Sequence, residues 1–259
     1  MAPAYARSWP KASWNRYLAT VGLGTALLYE ARHISRLMKL QWEDPQNVLE
    51  LLRERGGALL SFHHPLAYLF PALIGSRGIS LEMLARSPQE SPLFPLMDSH
   101  LACWFSNTQS YFGGGQWCFQ HTDRGNDMRR PLSALREGRV VISLHDFPNI
   151  YKGVKTVSGR LLGHELAPAQ GIIGPALRRR LPIALGYAQW LGGRQFAVTL
   201  GLITRGDEDN LSAEDVLARY LAALEAILIN QPEFWEAWGA LPKDIVGPTA
   251  PAASPLGDC

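Results

Sequence analysis

Gly57-Ala-Leu-Leu-Ser-Phe-His-His64-Pro-Leu-Ala-Tyr-Leu69 is the stretch that decides how this chain is read. Ala58 to Phe62 is a short apolar run of strand length, bounded before by Gly56-Gly57 and after by Pro65. Such a run fits a strand buried on both faces, and the proline ends its hydrogen-bond ladder. Leu66 to Gly75 then reads as an apolar helix. The histidine pair His63-His64 thereby falls at the C-terminal end of a strand, just before a helix. In open α/β sheets that edge faces the crevice where ligands sit. An imidazole titrates near neutrality, so either ring is a candidate base. The competing reading makes one of the two a hydrogen-bonded structural histidine.

Outward from this stretch, helices and apolar strands alternate, the pattern of an α/β fold. Before it, Ser13 is a candidate cap for a helix running to about Leu40, with a break at Gly22 to Gly24. Asp44-Pro45 reads as the start of a second helix, N-cap then proline, with Val48, Leu49, Leu51 and Leu52 inward. After it, Ile79 to Leu84 is a second strand, Ser87 to Pro95 a loop, Leu96 to Phe105 a helix, and Tyr111 to Phe119 a glycine-rich turn entering a strand. Asp127 to Glu137 is helical, with Met128, Leu132 and Leu135 inward and Gly138 as its stop. Val140 to Leu144 is another buried strand, and it ends in His145-Asp146. Two strand exits thus each deliver a histidine, and one adds a carboxylate. Glu165 to Arg180 reads as a helix with Pro168 in its first turn. Pro182 to Trp190 and Arg194 to Ile203 form a hairpin turning at Gly192-Gly193. Ser212-Ala-Glu-Asp215 opens a helix through Asn230. The aromatic Pro232 to Trp238 packs the C-terminus down, and the Pro, Ala and Ser composition from Pro248 onward reads as a disordered tail. The expected architecture is a central mixed, mostly parallel sheet flanked by helices: one domain over 1–247, with 1–42 an N-terminal helical segment and 248–259 the tail.

Bulk properties narrow the function. The 259 residues are 47% hydrophobic and 19% charged, with a net charge of +2, too mild a surplus to argue for nucleic acid. Basic residues do cluster, at Arg129-Arg130, Arg136, Arg139 and Arg178-Arg179-Arg180, as solvated helix faces or as a landing surface for an acidic partner. Cys103, Cys118 and Cys259 are odd in number and lack a CxxC spacing, which argues against a disulfide framework and fits a reducing compartment. The best apolar run, Tyr17 to Tyr29, falls short of the roughly 20 residues a bilayer needs, and no signal peptide is expected. Trp9, Trp14 and Tyr17 among Arg7, Lys11 and Arg16 suit peripheral membrane contact at most. A cytoplasmic protein, peripheral at most, is the expectation.

No GxSxG elbow is present, and the Gly113-Gly114-Gly115 triplet has neither a P-loop lysine nor a GxGxxG frame. His63, His64, His145 and Asp146 offer metal donors, but adjacent histidines leave opposite faces of a strand and do not readily share one ion. No metal is expected. A general base needs only one imidazole and an orienting partner.

Taken together, these stretches resemble the bacterial lipid A late acyltransferases, within the lysophospholipid/glycerolipid acyltransferase superfamily. The strand ending at His64 stands where that family has H-x4-D/E. Asp123-Arg124-Gly-Asn-Asp-Met-Arg-Arg-Pro-Leu-Ser-Ala-Leu-Arg-Glu-Gly138, followed by the strand to Asp146, resembles the family's arginine, helix, strand and aspartate. Leu161-Leu-Gly163 through Ala184 and Gln231-Pro232-Glu233-Phe-Trp-Glu-Ala-Trp238 resemble two later segments. The resemblance implies an acyltransferase-superfamily-like fold and transfer of an acyl group from a thioester to a hydroxyl or amine. The thioester is borne by acyl carrier protein or CoA, used as co-substrate with no other cofactor; the acceptor is a small molecule or lipid. Carried over, His64 is the base and Arg124 an oxyanion or phosphate ligand, with Tyr68 and Asn126 as further substrate-binding candidates. The motif acid is missing: its position holds Leu69 counted from His64, and Tyr68 counted from His63. Asp146 orienting His64, His63 sharing the role, and loss of the chemistry in a non-catalytic acyl- or carrier-binding member all stay open. So does a thioester hydrolase. The family's N-terminal membrane helix has no counterpart here, which favours a soluble or carrier-bound acceptor, as in a specialised-metabolite pathway.

Overall fold

The computed structural model describes residues 11–30, 33–90, 94–121, 127–207 and 210–236. Residues 1–10, Arg124, Asn126, Trp238 and 248–259, Cys259 included, lie outside the described residues.

A seven-stranded sheet forms the middle layer. Its strands are β1 (Lys39–Glu43), β2 (Gly57–Ser61), β3 (Leu81–Arg86), β4 (Trp117–Gln120), β5 (Val140–Leu144), β8 (Ile183–Gly192) and β9 (Gln195–Thr204), in the order β1-β9-β8-β2-β5-β3-β4. The five strands β8-β2-β5-β3-β4 are mutually parallel; β9 turns back antiparallel to β8, and β1 runs parallel to β9. A separate hairpin, β6 (Gly159–Leu161) with β7 (His164–Leu166), lies against the C-terminal helix.

β2 sits at the centre because every one of its residues can be buried. Ala58, Leu60 and Phe62 enter one core with α6 (Arg129–Arg136), α7 (Ile173–Arg178) and α8 (Ala213–Asn230). Leu59 enters the other, with α1 (Lys11–Tyr29), α3 (Val48–Arg55) and α4 (Phe70–Gly75). That period-two split is what a strand does between two layers. Gly57, at φ 142, lets the strand start tight against Pro182, whose carbonyl oxygen a Cβ there would meet.

Local signals explain the helix ends. Asp44 accepts from the backbone of Val48 (2.6 Å) and Leu49 (2.8 Å), so it caps α3 although the helix begins at Val48. Ser212 and Asp215 form a reciprocal capping box on α8. Helix α5 (Phe94–Gln109) is longer than predicted at both ends.

Three expectations are corrected. The N-terminal segment is not wholly helical: α1 opens at Lys11, runs through Gly22 and Gly24, and stops at Tyr29; the short α2 (Ile34–Leu37) follows, and Lys39–Glu43 is then edge strand β1. Gly24 is needed for approach rather than for a break, since a Cβ there would stand 2.8 Å from the Pro65 carbonyl. Glu165 to Arg180 is not one helix; His164–Leu166 closes the β6–β7 hairpin and only Ile173–Arg178 is helical. Of the basic cluster, Arg130 and Arg139 both pair with Glu82, which is fully buried, and Arg129 pairs with Asp127. No described helix is long and apolar enough to cross a membrane.

Candidate active site

β2 and β5 pair in parallel with Ser61 opposite Leu144, and the His145 N–H extends the ladder by donating to the Ser61 carbonyl at 3.0 Å. The residues just past the two strand ends are therefore neighbours at the C-terminal edge of the sheet. Tyr220 of α8 fixes this edge from below, its hydroxyl donating to the same Ser61 carbonyl at 2.7 Å.

Asp146 is fully buried and accepts three hydrogen bonds. They come from the His63 backbone N–H (2.8 Å), His63 Nδ1 (2.8 Å) and Trp235 Nε1 (2.6 Å). Burial alone would raise the carboxyl's pKa, but the His63 charge and these donors bring it below its ordinary value. An ionised Asp146 assigns the proton of neutral His63 to Nδ1 and leaves the lone pair on Nε2. The His63 side chain is 37% exposed. Burial acts to lower the His63 pKa, yet Asp146, with help from Glu236, holds it above its ordinary value.

The ring that Asp146 holds is thus His63 and not His64, which was the expected base. His64 is 1% exposed, lies parallel to Phe234 (6.2 Å between centroids, 7° between planes), and has Phe62 and Phe70 as further neighbours. Its Nδ1 accepts from the Leu66 N–H at 3.3 Å, and its Nε2 has no partner. Burial, reinforced by His63 and opposed by Asp146, pushes its pKa down to about 3. His64 is a neutral core residue at any cellular pH. Both residues lie past the end of β2, where successive side chains of an extended chain diverge, and only the His63 ring comes to Asp146.

His145 also turns inward. It is 3% exposed and sits edge-on to Tyr220; burial lowers its pKa, outweighing the Ser143 and Gln170 backbones and Asp146, which act to raise it. Tyr68 is half exposed and rests against Phe105 and Trp117; burial and the Glu236 carboxylate raise its pKa. Arg124 and Asn126 are among the residues not described.

Three groups escaped the sequence reading. Trp235 supplies the third donor to Asp146; Glu236 donates its backbone N–H to the His63 carbonyl at 2.8 Å; Phe147 stands 5.6 Å from the His63 ring, partly exposed. The available signal is the aromatic density of Pro232 to Trp238, which the sequence alone reads as packing and as a likeness to a later family segment.

The arrangement is an oriented imidazole–carboxylate pair on a partly exposed ring. It can remove a proton from a hydroxyl, amine or water and return it later. Cys118, buried beside Glu82, is pushed up to about 12 and stays a thiol. Among the described residues no group of three or more His, Cys, Asp or Glu is placed to hold a metal. No protein-family model matches the chain, and a search of curated proteins finds no significant match.

Proposed function

We propose that this protein is an acyltransferase of the lysophospholipid/glycerolipid acyltransferase type, with His63 as general base and Asp146 as the group that orients it. The observation that carries this reading is the contact of His63 Nδ1 with a buried carboxylate that Trp235 also holds. It supplies the imidazole–acid pair whose acidic half is missing from the local motif at Leu69, and it does so from the neighbouring strand.

In the proposed reaction His63 Nε2 takes the proton of an acceptor hydroxyl or amine as its oxygen or nitrogen attacks the thioester carbonyl. The C–S bond breaks, and the imidazolium returns the proton to the departing thiolate, so the free enzyme is restored. Asp146 stabilises the transient imidazolium. Exposed Tyr68, Phe147 and Ile150, on the segments that leave β2 and β5, give an acyl chain apolar surface at the mouth. The donor is acyl carrier protein or CoA thioester; the acceptor is a small molecule or lipid; membrane contact is peripheral at most and the compartment cytoplasmic. The solvent-facing edge of His63 also admits water, which supports thioester hydrolysis as the second reading.

Purified protein incubated with acyl thioesters and a panel of amines and alcohols, followed by intact mass, tests this. Acceptor acylation lost in His63→Ala and kept in His64→Phe is the expected result. Free acid formed without an acceptor identifies the hydrolase. Donor binding with no turnover under any condition overturns the enzymatic reading.

A further inference from the structure

α6 and α7 pack side by side and lead into the N-terminal ends of β5 and β8, the edge of the sheet opposite His63. Between them lies a cleft of about 390 Å³ lined by Leu132, Arg136, Pro175, Arg178 and Arg179. No carboxylate lines it. The three arginines are exposed, and among the described residues none of them is in an ion pair. This separates them from Arg129, Arg130 and Arg139 nearby, whose charges are met by Asp127, Glu82 and Glu137. A cation in the last turn of a helix is favoured by the helix dipole, and that accounts for one arginine on α6 and one on α7. It does not account for three arginines, drawn from two helices or their ends, lining one concave space. Like charges around a shared cavity repel, and an anion placed among them removes the repulsion while accepting forked hydrogen bonds. Leu132 and Pro175 add an apolar wall for the carbon skeleton that carries the anion.

We propose that this cleft binds a phosphate-bearing group, either on a soluble small molecule or on a lipid headgroup. The site is remote from His63 and does not depend on the acyl-transfer reading.

The test is calorimetric titration of the full chain with pyrophosphate at low salt. Binding should weaken at least about tenfold in Arg178→Gln and again in Arg136→Gln, which sits on the other helix, and should fall steeply with added salt. Arg160→Gln, on the β6–β7 hairpin, should bind as the wild type does. Melting curves confirm that each variant is folded, and the two helices give two independent variants. ADP and vesicles of phosphatidylcholine with phosphatidate separate the sources: loss of ADP binding in Arg178→Gln assigns a soluble ligand, loss of vesicle binding a headgroup. No pyrophosphate binding, or binding that both variants leave unchanged, overturns the proposal.

Discussion

His63 and His64 share a peptide bond and little else. One shows 37% of its side chain to solvent and touches a buried carboxylate; the other is 1% exposed and stacks on Phe234. The first is held above its ordinary pKa and the second is pushed down to about 3. The lesson is that an imidazole's chemistry belongs to the space it enters. Asp146 makes His63 a better base by stabilising its protonated form, whereas hydrocarbon around His64 forbids that form.

That contrast can be broken most directly by rate. His63→Ala and Asp146→Asn should each lower the proposed acyl transfer by about 10²–10⁴-fold, while His64→Phe keeps most of it. Equal losses in the His63 and His64 variants, measured as initial rates, would erase the distinction. The next largest effect is on acid stability. Between pH 6.5 and about 3 the unfolded chain protonates His64 and the folded chain does not, so stability falls as pH falls through this window. The difference reaches on the order of 4 kcal/mol at its acid end, and His64→Phe should remove it from urea titrations run across that range. His63 has the opposite sign: its raised pKa contributes stability below its unfolded value, and this is lost as pH rises through the folded one.

Asp146→Ala leaves the His63 N–H and the buried Trp235 indole without their acceptor, and should cost about 3 kcal/mol in the same titrations. Trp235→Phe removes one donor to an ionised group and should cost about 1.5–2 kcal/mol. The smallest effect is a shift of the pH–rate profile. Activity should rise with pH as His63 loses its proton, and in Asp146→Asn that limb should move to lower pH. An unmoved limb would mean that Asp146 does not set the basicity of His63.

Much of the fold was legible. β2, β5, the β8–β9 hairpin and α8 follow from apolar runs, a Gly-Gly turn and a capping box, all of which act within a few residues. Lys39–Glu43 was missed because β1 alternates exposed and half-buried positions at the sheet edge, where pairing with β9 rather than composition makes it a strand. Glu165 was misassigned because the turn at Leu162, with φ 51, and Gly163, with φ 82, closes a hairpin that no short-range pattern announces. Asp146 was legible as a candidate, but its choice between two adjacent histidines was not, and Trp235 as its third partner was invisible.

The chain's own order of residues placed histidine at one strand exit and histidine with aspartate at another. Alternation and turn chemistry are local, and they suffice for that. Which ring met the carboxylate was decided only when β5 came to lie beside β2 and the segment after α8 closed over both, bringing together groups 83 and 89 residues apart. A hydrogen bond of that span is a property of the packed sheet, because nothing near either residue in sequence favours it until burial removes water as the alternative partner.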